Sequence, residues 1–418
     1  MPDIKKVIII GAGPAGLIAA LRLHQANHIS NIAIYEIRSA PSTIGGAVGI
    51  PANGLRLLNR LGILETIRAR AGATPSIVLH SSHGDELGRY CITPPDEPSL
   101  EYIRIKRAEL MDVLYKAIEP RHIPIYFSKK LVHIEEHSSS ITVTFSDGTT
   151  DTADLLLGCD GIHSAVRTTY VDPDTHPEYS GNAGMFCVLP TSSLSTDNQF
   201  LLKGMHSTLT TDGMFACLPC KPDESELFWF FNRHVALPDA AAIDSRDGWV
   251  EKRQHELSNS KSTILSLISD AKGPWGSFLR DIITATPSLN FYPVYLLPLG
   301  RTWRKGSRCV LLGDAAHAMP PHASQGVSMA LEDVFALSRA LTLDVDLGEC
   351  WDRYDRVRRP RVESIYQWTM ANASHVGKTG SWGLWMKEMV VKWGLVFSNW
   401  FGMSTDERLS YDVDKAVL

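Results

Sequence analysis

A short apolar run near the start of the chain, Lys5–Ile10 (KKVIII), leads directly into Gly11-Ala-Gly13-Pro-Ala-Gly16, and a helical run, Leu17–His24, follows at once. Few architectures accept that order. A strand, a tight glycine turn and a helix open a βαβ unit on a parallel sheet. The first glycine permits the turn, the second lets backbone approach a pyrophosphate, and the third allows close helix–strand packing. A second strand pattern, Ile32–Tyr35, ends at Glu36, twenty residues after Gly16, where an acid reaches a ribose hydroxyl. The spacing predicts a bound dinucleotide.

Val310–Asp333 (VLLGDAAHAMPPHASQGVSMALED) narrows its identity. The apolar run Cys309–Leu312 reads as a buried strand ending in Gly313-Asp314. A turn-rich segment with Pro320, Pro321, Ser324 and Gly326 precedes a helix start carrying Val327, Ala330 and Leu331, with acids at Glu332 and Asp333. A carboxylate at a strand end holds a sugar hydroxyl, and free N–H groups at a helix start hold an anionic ring edge. A long dinucleotide with a redox-active ring uses both, which points to FAD. Between these ends, Leu155–Arg167 repeats the pattern: an apolar strand, Asp160-Gly161, and a helix start with Ser164 available as a cap.

The ordered trio resembles the class A flavoprotein monooxygenases, the para-hydroxybenzoate hydroxylase-like family, over most of the chain. GAGPAG at Gly11–Gly16, Asp160-Gly161 and Gly313-Asp314 match its three motifs. Gly45–Asn53 is similar to its flavin-facing loop, and Arg107-Ala-Glu-Leu110 to its Arg-x-x-Leu segment. The ending Tyr411-Asp412-Val413 is similar to fungal secondary-metabolism members. Ser324-Gln325-Gly326 departs from the commoner Gly-Gln-Gly, and Ser324 is expected to fit because it is small. The resemblance implies that Gly11, Gly13 and Gly16 cradle the pyrophosphate and Glu36 holds the adenosine ribose. Gly49 would face the flavin, Arg107 would contact the cofactor, and Asp314 would bind its ribityl or pyrophosphate part. Pro320 would lie near the reactive ring carbon, with Gly326 and Val327 under the pyrimidine edge. Asp160 would link the pyrophosphate region to the NAD(P)H path. No second GxGxxG appears downstream, as in a family without a separate nicotinamide domain.

The expected fold is α/β: a Rossmann-like FAD-binding domain, an inserted, mostly antiparallel β-sheet substrate domain, and a C-terminal helical segment. The FAD domain is read as discontinuous, over 1–73, 102–171 and 299–376. The substrate domain takes 74–101 and 172–298, and the tail 377–418. Inside the FAD domain, Ile141–Phe145 and the Asp147-Gly148 turn predict a hairpin. Strand patterns at Met185–Leu189, Met214–Leu218 and Leu227–Phe231 would roof the flavin.

With 418 residues, 44% of them apolar and 21% charged, the chain is an ordinary globular protein. Its net charge of −5 argues against nucleic acid. Seven cysteines without regular spacing fit a reducing compartment, and a charged start running into a strand predicts no signal peptide, hence a cytoplasmic location. Cys217-Leu-Pro-Cys220 lacks a second pair for zinc, and His317 and His322 lack a third ligand, so no metal site is predicted. Trp382–Met403 carries four tryptophans but is too polar to span a membrane. It predicts a helix packed on the body or a homodimer partner, or a peripheral membrane contact, with Glu388 and Lys392 paired on an exposed face.

The implied reaction reduces FAD with NAD(P)H, adds dioxygen at the flavin C4a carbon, and passes the distal oxygen of that hydroperoxide to an electron-rich carbon. The product is a hydroxylated or epoxidised aromatic or polyketide-like small molecule. Phe186, Phe215, Phe228, Trp229, Phe230 and Phe231 supply an apolar roof, about half of which alternation assigns to sheet core. Fungal relatives acting on phenols place an arginine near Asn182–Val188, and none occurs here, which predicts a less acidic substrate. His322, Arg233 and His206 are the candidate substrate contacts, and no catalytic residue is named. A dehydrogenase, oxidase or isomerase on the same scaffold is the alternative, with a flavin-binding interaction protein behind it.

Overall fold

The computed structural model describes residues 4–41, 45–195, 203–236, 257, 259–374, 377–400 and 407–418, without the side chains of 322, 372–374, 398, 399 and 407. At its centre lies a six-stranded sheet, ordered β18-β19-β12-β1-β2-β8. Its strands are β1 (Lys6–Ile10), β2 (Asn31–Tyr35), β8 (Ile125–Tyr126), β12 (Leu155–Gly158), β18 (Arg304–Lys305) and β19 (Cys309–Leu311). All pair in parallel except β18. Val7, Ile8 and Ile9 of β1 and Leu155, Leu156 and Leu157 of β12 are completely buried. Runs apolar on both faces suit parallel strands covered above and below, which is why these segments read as unbroken rather than alternating.

The parallel arrangement places the sequence motifs side by side. Glu36 follows β2, Gly11 follows β1, Asp160 lies just beyond β12 and Asp314 just beyond β19. These four strands are neighbours in that order, so residues as far apart in sequence as Gly11 and Asp314 line one carboxyl edge of one sheet. Ligands of doubly wound sheets bind at such an edge. The helix Pro14–Ala26, wider than the sequence pattern, packs against the helix Gly326–Ala340 beneath it.

The inserted segments meet in a seven-stranded sheet, ordered β17-β13-β16-β15-β14-β5-β6. It comprises β5 (Ser76–His80), β6 (Glu86–Cys91), β13 (Glu178–Pro190), β14 (Met205–Thr210), β15 (Gly213–Pro219), β16 (Glu226–His234) and β17 (Asn290–Leu296). Pairing is antiparallel except between β14 and β5. Alternation along β16 divides the aromatic run. Leu227, Trp229 and Phe231 join Phe215 in a core against the helix Gly273–Ala285, while Phe228 and Phe230 join Phe186 on the other face. That second face packs on Tyr102 and Ala47 of the FAD domain. Ile141–Phe145 does form hairpins, with Thr150–Ala153 on one side and Leu131–Glu136 on the other.

The helix Leu347–Ser374 and the helix Ser381–Trp400 follow, and the chain then returns to the first domain. Arg60 holds the Asp412 carboxylate through both terminal nitrogens at 2.7 and 2.8 Å, Val413 is fully buried, and Arg361 stacks over Tyr411 at 4.3 Å. The last residues thus pack against the FAD domain instead of trailing as part of a separate tail. Glu388 is also turned inward, 4% exposed, accepting the Ser82 backbone N–H at 2.6 Å. The expected Glu388–Lys392 pair on an exposed face does not form, because the sheet edge offers Glu388 an unsatisfied donor. Among the described residues no helix is long and apolar enough to cross a membrane.

Candidate active site

The three glycines of the first turn are held for three different reasons. Gly11 has φ +104°, and a Cβ there would lie 2.4 Å from the Cys159 carbonyl oxygen. At Gly16 a Cβ would lie 2.0 Å from the Gly11 carbonyl oxygen. At Gly13 it would meet nothing within 4 Å. Protein packing therefore explains the first and third glycines, while the second borders open space. That space is a cleft lined by Ala12, Gly13, Glu36, Arg38, Arg107 and Tyr115, among others. Glu36 is buried at its floor and accepts the backbone N–H groups of Ala12 at 2.9 Å and Arg38 at 3.0 Å. Those bonds orient its carboxylate and leave lone pairs for a ribose hydroxyl.

Asp314 starts the short helix Asp314–His317 after Gly313, whose φ is +60°. Its side chain is open to solvent yet crowded by protein, as at the bottom of a cleft. Burial pushes its carboxyl above the usual carboxylate range, against the pull of His317 and Arg107. Neither Asp314 nor the guanidinium of Arg107 has a hydrogen-bond partner among the described residues. Arg107 opens the helix Arg107–Ile118, and its stem covers Gly45. Asp160 accepts the N–H groups of Ala165 at 2.6 Å and Val166 at 3.1 Å, and its other oxygen is buried without a partner. Asp160 thus caps the turn that follows it, and Ser164 adds a bond to the Arg167 N–H at 2.9 Å. Arg167, which the sequence reading passed over, ties this loop to the Ala315 carbonyl at 2.8 Å.

Beyond the cleft, the helix Gly326–Ala340 begins with no side-chain cap and no acid in its first turn. Gly326 is exposed, Val327 half-buried, and Pro320 buried just ahead of them. Fifteen residues of helix make that bare N-terminus a fit place for an anionic ring edge. Ser324 adopts φ +54°, a left-handed conformation where glycine is usual, and its hydroxyl accepts the Tyr102 hydroxyl at 3.0 Å. At Gly49 a Cβ would stand 1.7 Å from the same Tyr102 oxygen, so packing alone demands glycine there. An unpartnered carboxylate, an unpartnered guanidinium, an open glycine and a bare helix start together fit a flavin dinucleotide.

Under this cradle lies a buried ionic network that the sequence reading missed. Arg358 donates to Asp333 at 2.8 Å and to Glu332 at 2.5 Å, all three fully buried. Arg361 grips Glu332 at 2.9 and 3.1 Å. Asp333 accepts the Gly313 N–H at 2.8 Å and lies 2.7 Å from the His317 ring. Asn53 donates to Glu332 at 2.8 Å and to Gln325 at 2.9 Å. Burial opposes ionisation of Asp333 and Glu332, but His317 and Arg358 for the first, and the two arginines for the second, hold both carboxyls below the usual range. The network joins the Gly-Asp turn to the bare helix start. The signs visible in the sequence are the adjacent acids Glu332 and Asp333 and the Arg358-Arg-Pro-Arg361 run.

Two of the three candidate substrate contacts are not brought to the cleft. His206 lies on the far face of the seven-stranded sheet, 2.9 Å from the His80 ring and stacked with Trp275. Burial and the neighbouring His206 lower the His80 pKa to about 4, and burial lowers that of His206. Arg233 pairs with Asp212 at 2.8 Å, on the same side of β16 as Trp229 and Phe231. One-residue alternation decides both cases. The side chain of His322 lies outside the described residues.

Arg104, which sequence reasoning did not single out, occupies the opposite face. It lies on β7 (Ile103–Lys106), paired with β3 (Ala47–Ile50), and is 7% exposed. Its guanidinium donates to the Tyr102 hydroxyl at 2.8 Å and the Ala47 carbonyl at 3.2 Å and lies 5.6 Å from the Phe228 ring centre. Its Nε has no partner, and among the described residues no carboxylate pairs with it. Tyr292 is nearby, its phenol pushed up by burial and lowered by Arg104. Phe186 packs edge-on against Tyr292 at 5.8 Å.

Comparison with known proteins agrees with this geometry. A family model described as FAD binding domain matches residues 5–262 and 299–369. The chain is similar to 6-hydroxynicotinate 3-monooxygenase of Pseudomonas fluorescens, 28% identical over 358 residues, covering 82% of this chain and 83% of that protein. It is also similar to the FAD-dependent monooxygenase penM of Penicillium crustosum, 27% identical over 383 residues, covering 86% and 76%. The fold matches Klebsiella pneumoniae HpxO complexed with FAD and uric acid, with a TM-score of 0.77 at 20% identity, covering 97% and 96%.

Asp314→Ala is expected to weaken FAD binding by about 1–3 kcal/mol, the cost of one lost hydrogen bond to a buried partner. Flavin released on titrating purified protein reports it. Unchanged occupancy would mean that Asp314 does not touch the cofactor.

Proposed function

Because this chain belongs to the FAD binding domain family and is an FAD-dependent monooxygenase drawing on NAD(P)H, we propose that it oxygenates an electron-rich aromatic or polyketide-like small molecule. The substrate lies between Ala47–Ile50 and the Phe186–Phe228 face of the seven-stranded sheet. Bound FAD supplies the redox chemistry by which dioxygen reacts. The chain's own part is to hold the cofactor with Gly13, Glu36, Arg107 and Asp314, to exclude water with Phe186, Phe228 and Phe230, and to orient the substrate. Water exclusion matters because an oxidising intermediate in a wet site is lost as peroxide. Pro320, Gly326 and Val327 border the ring system, and the place of His322 in the sequence, two residues after Pro320, is our reason to propose it as a further substrate contact.

Arg104 carries the reading of the substrate. A buried cation without a counter-ion costs several kcal/mol, and an anionic group beside it recovers part of that cost. The phenolate or carboxylate of an acidic aromatic compound is such a group. The arginine absent from 182–188 is thus supplied from β7, across the sheet interface. Fungal secondary metabolism is the setting we favour, on the Tyr411-Asp412-Val413 ending and the likeness to penM. The cytoplasm is the compartment we favour, since all seven cysteines are free thiols.

Isotope-labelled dioxygen tests the reaction class: one labelled atom must enter the product. Product without label would instead mean a dehydrogenase, oxidase or isomerase. Arg104→Gln tests the substrate contact. We expect unchanged FAD content, a KM for an acidic substrate raised about ten- to a hundredfold, the equivalent of 1.5–3 kcal/mol for a charged hydrogen bond, and less product per NAD(P)H consumed. Native KM and coupling in flavin-replete variant protein would remove Arg104 from the site.

A further inference from the structure

Ser324 stands just before the bare helix start, in a left-handed conformation (φ +54°) that glycine adopts at less cost. A side chain kept in such a place points to a use for it. Its hydroxyl accepts the Tyr102 hydroxyl at 3.0 Å, and the Tyr102 oxygen accepts Arg104 at 2.8 Å. The far end fixes the direction of this chain. A guanidinium has donors and no acceptor, so Tyr102 accepts from Arg104 and gives its single proton to Ser324. Neither partner has room to turn. Arg104 is 7% exposed and also donates to the Ala47 carbonyl at 3.2 Å. Tyr102 is 6% exposed, its oxygen filling the space where a Gly49 side chain would stand. The proton of Ser324 is therefore directed away from Tyr102, and among the described residues nothing accepts it. Ser324 is half-buried, and two residues on, a Cβ at Gly326 would meet nothing within 4 Å. The unused donor borders open space at the flavin cradle.

We propose that the Ser324 hydroxyl is a ligand of bound FAD, donating its proton to an acceptor on the pyrimidine edge of the flavin ring. That edge carries carbonyl oxygens and gathers negative charge when the ring is reduced. A hydrogen bond to a charged acceptor is stronger than one to a neutral acceptor. The guanidinium charge at the far end polarises the chain in the same sense, strengthening Ser324 as a donor. Ser324 thus favours the reduced ring over the oxidised one. Tyr102 and Arg104 are positioning residues in this role, acting only through the hydroxyl they orient. Arg104 enters through its bond to Tyr102 alone, whichever group a substrate offers it.

The test is the midpoint potential of the flavin in full-length, FAD-loaded protein, measured against a reference dye without substrate. Ser324→Gly removes the hydroxyl and relieves the backbone, whereas Ser324→Ala removes the hydroxyl and keeps the left-handed φ. Agreement between them isolates the hydroxyl. Both are expected to bind reduced FAD, relative to oxidised FAD, about tenfold less tightly than the wild type, the gap between a charged and a neutral hydrogen bond. For a two-electron couple that is a fall of about 30 mV. Tyr102→Phe leaves the hydroxyl in place but unoriented, and a smaller fall in the same direction is expected. An unchanged potential in both Ser324 variants overturns the proposal, since a hydroxyl that only satisfies Tyr102 would alter the melting temperature alone. A fall confined to Ser324→Ala overturns it too, assigning the effect to the backbone. Should the Ser324 variants not retain flavin, Tyr102→Phe carries the test, and an unchanged potential there has the same force. Product labelling and KM are read separately, so failure here leaves the oxygenation reading standing.

Discussion

Arg358→Ala is expected to cost about 3–5 kcal/mol of folding stability, enough to leave the protein without FAD at ordinary temperatures. The guanidinium is fully buried against Asp333 and Glu332, also fully buried. Removing it leaves two carboxylates in a low-dielectric core with His317, the Gly313 N–H, Arg361 and Asn53 to answer them. The loss spreads to the cofactor because Asp333 holds the Gly313 N–H and Glu332 is linked through Asn53 to Gln325, just before the bare helix start. Denaturant melts with parallel flavin measurements check this. An unchanged midpoint would show that the network adds nothing to the wild-type fold. The same carboxyls set a pH limit. Both are depressed in the folded protein, so their stabilisation is complete above the unfolded carboxylate pKa of about 4 and is lost as pH falls through the lower folded values.

Gly11→Ala is expected to be nearly as damaging, and Gly13→Ala to be harmless to the apoprotein while removing the cofactor. At Gly11 the φ of +104° and contacts of 2.4, 2.7 and 2.8 Å with backbone atoms of Cys159 and Asp160 leave no flexible side chain to yield. Strain and overpacking together amount to about 2–5 kcal/mol. Gly62, with φ +75° and nothing within 4 Å, isolates the backbone share, and alanine there should cost only about 1–2 kcal/mol. At Gly13, φ −79° suits alanine and no protein atom lies within 4 Å, so a methyl group meets only the ligand. Equal apoprotein stability and strongly reduced FAD affinity are the expected pair of results. Full FAD occupancy in Gly13→Ala would place the pyrophosphate elsewhere.

The FAD-binding half was legible because its chemistry is local. Each motif is a strand, a turn and a helix start within about fifteen residues, and unbroken apolar runs identify strands buried on both faces. Gly11–Gly16, Glu36, Asp160 and Asp314 each marked the end of a strand, and the sheet sets β2, β1, β12 and β19 side by side in parallel. The aromatic strand was legible to the extent that period two divides it: half roof, half core, though not which half.

What only the tertiary structure decided depends on partners far apart in sequence. His206 and Arg233 carry suitable chemistry, but the pleat turns them to the helix-covered face. Arg104 has no motif around it. It becomes a buried cation with no carboxylate partner among the described residues only when β3 and β7 fold under Phe228, 124 residues later. Arg358 looks like any surface arginine of a charged helix until Asp333, 25 residues away, is buried against it. Residue type and spacing determined which cofactor this chain holds. Desolvation, which depends on everything packed around a group, decided which charges became part of the site.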